Sequence, residues 1–267
     1  MSALIVVPSR FGSTRFPGKP LALINGVSMV RRTARIARDA SKQIEHCSYV
    51  VATDNEEISA HCDEHNIPVV MTAAKLPTGS DRAFAAASHI SPSPDYIINL
   101  QGDAPFTPID HIVAVATALK RGADVATPYI KLNWEALDAL RAHKEQTPFS
   151  GTTMIIGKDN KAIWFSKNII PAIRKEDGLR QASDLSPICR HIGLYAYQRH
   201  ALEKFVNLPE SAFEKLEGLE QLRLLENGLS IECVQVKPPK VATPGIDTPE
   251  DLALAERLIK LHGDPFA

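Results

Sequence analysis

Three cations and two glycines crowd the segment PSRFGSTRFPGKPL at residues 8–21. Arg10, Arg15 and Lys19 suit phosphate, because a guanidinium takes two oxygens at once and an ammonium acts as a point charge. Gly12 and Gly18 let backbone N–H groups come close to an anion. Pro8 and Ser13 lie in the same stretch. The competing reading is a surface loop with solvated cations. The position of the segment argues for a ligand loop: it follows the apolar run Ala3–Pro8, a strand with two buried faces, and precedes a helical pattern over Ser28–Ala40. Open α/β sheets bind their ligands at the carboxyl ends of strands. The wording is neither a Walker A loop, which needs G-K-[ST] after four spacers, nor G-x-G-x-x-G, so both usual nucleotide motifs are absent.

Two carboxylates stand in comparable places. Asp103, in INLQGDAPF at 98–106, follows an apolar strand directly and is a natural Mg²⁺ ligand when phosphate oxygens and water complete the octahedron. Gly-Asp is also an ordinary turn pair. Asp247, in PGIDTPEDL at 244–252, sits between a glycine and a helix start, and alone it reads as structural. The helical run HCDEH places His61 and His65 at i, i+4, a zinc-capable spacing. It lacks the H-E-x-x-H glutamate and lies far from the other motifs, so it reads as an ordinary helix.

The elements that must position these groups alternate through the first half. Strands are expected at Tyr49–Thr53, Pro68–Thr72, Tyr96–Leu100 and from Asp124. Helices are expected at Glu56–His65, Asp81–His89 and Pro108–Arg121. That rhythm implies a parallel sheet with right-handed crossovers. In the second half a helix at Trp134–His143 precedes strands at Gly151–Gly157, Lys161–Phe165 and Ile192–Tyr197, with a polar loop from Arg174 to Ser186. One strong helix is expected over 212–227, then a strand at Ser230–Val236 and a capped helix at Thr248–Leu261. The division expected is a nucleotide core at 1–130, a second mixed-sheet lobe at 131–229, and a return strand and helix at 230–267.

Composition sets the outer limits. The chain has 267 residues, 44% hydrophobic, with 30 Lys plus Arg against 31 Asp plus Glu, a net charge of −1. This excludes a general basic nucleic-acid binder and a disordered acidic chain. The balance conceals an uneven distribution: residues 1–40 hold seven cations and one acid, hence +6, leaving −7 elsewhere. Arg31, Arg32, Arg35 and Arg38 read as the wet face of a helix whose other face is Met29, Val30, Ile36 and Ala37. Four scattered cysteines and no long apolar stretch lead to an expectation of a cytoplasmic enzyme without membrane insertion.

In order and wording the segments resemble the CMP-Kdo synthetases, the cytidylyltransferases that activate 3-deoxy-manno-octulosonate (Kdo). The resemblance runs over nearly the whole chain. It rests on R-x-x-S-T-R-x-P-G-K-P-L at 10–21, VATD at 51–54, Gly79–Arg82, N-x-Q-G-D at 99–103, FSKNIIP at 165–171, RHIGLYAY at 190–197, LEQLRLLENG at 219–228 and PGIDTPEDL at 244–252. It implies a Rossmann-like, mostly parallel sheet flanked by helices, of nucleotidyltransferase type, with a smaller mixed-sheet substrate and dimerisation lobe. It also implies CMP transfer from CTP to the sugar acid, for lipopolysaccharide biosynthesis, with pyrophosphate leaving. Arg10, Arg15 and Lys19 would hold the triphosphate, with Arg10, Lys19 and Asp103 as the catalytic set. Asp103 and Asp247 would ligate one Mg²⁺ or two. Arg82 would lie near the nucleotide, and Gln101, Lys167, His191, Tyr195, Glu220 and Gln221 would bind the sugar. A homodimer is implied by analogy.

Three departures from the family pattern stand out. Ala104 replaces a common Glu, Lys167 replaces a common Arg, and TPFSGTTMII at 147–156 replaces an Asn-Pro-x-x-V-K-V-type run. Lysine recognises a planar carboxylate less well than arginine. A variant acceptor, such as 8-amino-Kdo or another keto-deoxy acid, is therefore an alternative. CMP-sialate synthetase, a UTP- or GTP-using pyrophosphorylase and a non-catalytic nucleotide-binding module are the other readings.

Overall fold

The computed structural model describes residues 1–12, 16–239 and 245–264. The chain runs through β1 (Ala3–Pro8), a 3-10 turn at Lys19–Leu21, β2 (Leu23–Ile24), β3 (Val27–Ser28), α1 (Met29–Ser41), β4 (Cys47–Thr53), α2 (Glu56–Glu64), β5 (Val69–Met71), α3 (Gly79–Ser88), β6 (Tyr96–Leu100) and α4 (Ile109–Lys120). It continues through β7 (Val125–Asn133), α5 (Trp134–Gln146), β8 (Thr153–Ile156), β9 (Ala162–Ser166), α6 (Glu176–Ala182), β10 (Leu185–His191) and β11 (Leu194–Gln198). The last elements are α7 (Arg199–Val206), α8 (Ala212–Glu217), α9 (Leu222–Glu226), β12 (Glu232–Gln235) and α10 (Pro249–His262).

One ten-stranded sheet, β5-β4-β1-β6-β11-β7-β10-β8-β9 with β12 on β7, organises the molecule. Strands β5, β4, β1 and β6 pair in parallel, as the strand–helix alternation predicts. Strand β11 runs antiparallel between β6 and β7, and it comes from the stretch 131–229. Side-chain alternation explains why β1 is apolar throughout: Ala3, Ile5 and Val7 face the layer of α1, α2 and α4, whereas Leu4 and Val6 face that of α3 and α7. The short hairpin β2–β3 turns on Asn25 and Gly26, both at positive φ, the backbone a tight two-residue hairpin demands. No helix among the described residues is long and apolar enough to cross a membrane.

Four sequence expectations need correction. The helix over 212–227 is broken: Gly218, at φ 61, ends α8 in the left-handed region, and α9 starts again at Leu222. Leu216 is consequently 81% exposed while Leu219 and Leu222 are buried, so the leucines do not form one stripe. The expected loop 174–186 contains α6, which Glu176 ties to Arg141 of α5 by two bonds of 2.8 Å, with Arg180 stacked 4.6 Å from the Trp134 ring. Strand β10 was hidden by Pro187, near which its pairing with β7 shifts register. Arg32 is not on a wet face: it is 1% exposed and grips Asp264 through both terminal nitrogens, at 2.7 and 2.8 Å, and the Ile24 carbonyl.

Candidate active site

Because β1 and β6 are paired neighbours, the loops that leave them lie side by side. Their approach depends on Gly102, where a Cβ would lie 2.2 Å from the Pro8 carbonyl oxygen. That contact carries Asp103 to the loop beginning at Pro8. The segment before α10 joins them: the Ile246 N–H donates to the Asp103 carbonyl at 2.9 Å. Asp247 is held by the Asp251 carboxylate, which accepts from its N–H at 3.0 Å and completes a capping box with Thr248. Lys19 leads the 3-10 turn, directly after Gly18 at φ 69.

These placements converge. The Lys19 ammonium donates to Asp103 Oδ2 at 2.8 Å and Asp247 Oδ1 at 3.0 Å. Burial alone pulls the Lys19 ammonium down, and the two carboxylates outweigh it and hold it above the usual lysine value. Each aspartate looked ambiguous in sequence. Together they form a carboxylate pair with a cation between them.

Arg10 and Gly12 lie exposed on the loop, and among the described residues no atom would crowd a Cβ at Gly12. Ser13 and Arg15 lie outside the described residues. Arg82 is 2% exposed and supports the loop from beneath. It donates to Asp54 Oδ2 at 2.9 Å and Thr72 Oγ1 at 2.5 Å, while the other Asp54 oxygen accepts from the Phe11 N–H at 3.3 Å. Asp54, the end of VATD, is therefore a loop anchor.

A second group lines the α3 side of the sheet. Tyr195 on β11 is directly opposite Asn99 on β6, so their side chains share a face. Ser80 at the start of α3 donates to Glu220 Oε1 at 2.8 Å and accepts from Asn99 Nδ2 at 3.3 Å. Burial raises the Glu220 carboxyl despite the Ser80 hydrogen bond, and burial pushes His191 down to about 3. The His191 and Tyr195 rings lie 5.4 Å apart. Asn99 Oδ1 and Gln221 Nε2 are buried with no hydrogen-bond partner among the described residues. An orphaned polar atom costs about 1–3 kcal/mol, which a ligand rich in hydroxyls would relieve. Gln101 stands at the edge of this group, its Oε1 3.6 Å from the Cβ position of Gly79. Asn99 and Ser80 had been visible only as letters inside motifs.

Lys167 occupies a different neighbourhood. Its N–H donates to Glu217 Oε2 at 2.8 Å, its carbonyl accepts from the Lys144 ammonium, and it lines an open cleft with Phe149, Trp164, Phe213 and Leu216. The ligand atoms of His61, Glu64 and His65 gather within 4.8 Å, and Ser28 Oγ already engages His61 Nε2 at 2.8 Å, fastening α2 to the start of α1.

Residues 4–231 match the sequence pattern of the family described as Cytidylyltransferase. The 3-deoxy-manno-octulosonate cytidylyltransferase of Maricaulis maris is 41% identical over 266 residues, covering 99% of each chain. The protein of that name from Bdellovibrio bacteriovorus is 35% identical, covering 98% of this chain and all of its own length. Among solved structures, a CMP:2-keto-3-deoxy-manno-octonic acid synthetase complexed with CTP superposes with a TM-score of 0.82 at 28% identity, over 98% of this chain and 99% of that one. A 4-diphosphocytidyl-2C-methyl-D-erythritol synthase from Anaerococcus prevotii, 13% identical with a TM-score of 0.57 over 97% and 96% of the two chains, shares the fold.

Proposed function

The chain belongs to the CMP-Kdo synthetase family of cytidylyltransferases, and from that premise we propose that it transfers CMP from CTP to Kdo and releases pyrophosphate, a step of lipopolysaccharide biosynthesis. The observation that carries the reading is the Lys19–Asp103–Asp247 cluster at the foot of a cationic loop. The anomeric hydroxyl of the sugar attacks the α-phosphorus, and the bond to pyrophosphate breaks. Such chemistry needs positioning and charge neutralisation more than a covalent nucleophile. Arg10, Arg15 and Lys19 hold the triphosphate and the leaving pyrophosphate. The Arg82–Asp54 pair fixes the chain just after Arg10, through the Phe11 N–H.

Mg²⁺ is the metal we assign to Asp103 and Asp247. Two hard carboxylate oxygens suit it, and the Lys19 ammonium seated between them marks a point where positive charge is welcome. When bound there it would neutralise phosphate charge and lower the pKa of the attacking hydroxyl. Gln101, His191, Tyr195, Glu220 and Gln221 take the sugar, supported by the orphaned atoms around them. Lys167, which lies in the separate cleft beside Glu217, is left out of that set. Residues 1–130 and 230–267 serve as the nucleotide core, and 131–229 as the sugar and dimerisation lobe. We assign a homodimer through the cleft of Phe149, Trp164, Phe213 and Leu216, since Phe149 is 76% and Leu216 81% exposed. The cytoplasm, where CTP is made and thiols such as those of Cys47, Cys62, Cys189 and Cys233 stay free, is the assigned compartment.

The test is pyrophosphate release with Kdo across the four ribonucleoside triphosphates. A clear CTP preference is expected. Preference for UTP overturns the reading, and turnover only with 8-amino-Kdo establishes the variant acceptor.

A further inference from the structure

Thr127 sits in the interior of β7 and is fully buried. Sequence alone gave it no role: it is one polar residue in the run VATPY. Its hydroxyl meets two backbone carbonyls, Leu194 at 2.9 Å and Ile192 at 3.4 Å, and His191 Nε2 at 2.9 Å, and it also lies within hydrogen-bonding reach of the Tyr195 hydroxyl. A hydroxyl has one hydrogen, and a carbonyl oxygen can only accept. The hydrogen of Thr127 is therefore spent on the Leu194–Ile192 carbonyls, so the contact with His191 must run the other way. His191 Nε2 carries a proton and donates it to Thr127 Oγ1.

A neutral imidazole holds one ring proton, so a proton fixed on Nε2 leaves Nδ1 as a bare lone pair. Burial keeps the ring neutral, as its value of about 3 indicates. Nδ1 has no partner among the described residues. The surroundings cannot turn the ring cheaply, because Phe165 packs against it edge-on at 5.1 Å and Tyr195 lies tilted at 5.4 Å.

We propose that Thr127 is a positioning residue that locks His191 in the Nε2–H tautomer, so that Nδ1 accepts a hydrogen bond from a hydroxyl of the bound sugar acid. The half concerning the sugar rests on the functional reading above, whereas the tautomer half does not. The lock selects for a ligand that donates at this point. A sugar carrying an ether or keto oxygen there would face two lone pairs and bind poorly.

The experiment uses the full chain with ¹⁵N-labelled histidine, in three forms: wild type, Thr127→Val and Thr127→Ser. Valine keeps the shape and removes the hydroxyl, while serine restores it. Wild type should show the ¹⁵N pair of an Nε2–H imidazole for His191, assigned by its loss in His191→Gln. Thr127→Val should populate the other tautomer and raise KM for Kdo about tenfold, the value of one neutral hydrogen bond, with KM for CTP unchanged. Thr127→Ser should recover both readouts. An Nδ1–H signature in wild type overturns the proposal, as does a Thr127→Val protein, folded by circular dichroism, with unaltered tautomer and KM. If the functional reading itself fails, wild type will not turn over Kdo at all. The tautomer and its shift in Thr127→Val then still decide whether Thr127 is the lock.

Discussion

Asp103 and Asp247 show how chemistry at the residue scale depends on company. In sequence one is a turn aspartate and the other a helix-start aspartate. Their shared hold on Lys19 separates them from ordinary turn residues. Asp103→Asn should lower kcat by about a thousandfold, the scale of removing one preorganised charge contact, with the fold intact by circular dichroism. Steady-state pyrophosphate release measures it, and retained turnover in Mg²⁺ would contradict the metal assignment. His191 makes a prediction of the opposite kind, an effect that should be missing. A histidine displaced to about 3 stays neutral across the working range, so KM for the sugar acid should show no histidine inflection between about pH 5 and 8. The unfolded chain binds this proton near the ordinary histidine value, and the folded chain does not. The buried ring therefore costs stability as pH falls from about 6.5 towards 3.

Elements were legible where local pattern and tertiary demand agreed. Strands β1, β4 and β6, helices α1 to α4 and the capped α10 follow from apolar runs, period and caps. What escaped was decided by contacts far away in sequence. Helix α6 owes its place to Arg141 and Trp134 on another helix, and strand β10 to partners that tolerate its proline. Gly218 ended a helix that leucine spacing alone would have continued. Arg32 is the clearest instance, because nothing in the α1 sequence distinguishes it from Arg31 or Arg35. Its buried guanidinium docks the end of α10 through Asp264, which is itself only 11% exposed. Removing one member of a buried pair strands the other charge, so Asp264→Ala should cost about 3 kcal/mol in chemical denaturation. The site was legible in the same measure. Motif residues named Lys19, Asp103 and Asp247, but the partnerships of Arg82 with Asp54 and of His191 with Thr127 needed three dimensions.

For the whole molecule, the continuous sheet explains why sequence halves and structural layers do not coincide. Strand β11, from the stretch expected to bind sugar, lies between β6 and β7 in the middle of the sheet. Its Tyr195 thereby pairs with Asn99, from the half expected to bind the nucleotide. The exposed cleft of Phe149, Trp164, Phe213 and Leu216 makes the prediction at this scale. Leu216→Glu should shift the mass measured by light scattering from dimer to monomer and leave the circular dichroism spectrum unchanged. A wild-type monomer would remove the dimer assignment. The grip of Lys19 on Asp247 spans 228 positions, and it ties the molecule to the order in which it is made. The lysine leaves the ribosome early and must wait for nearly the whole chain before its second carboxylate exists. A nascent polypeptide thus holds every strand of the sheet before the Lys19–Asp247 contact can close.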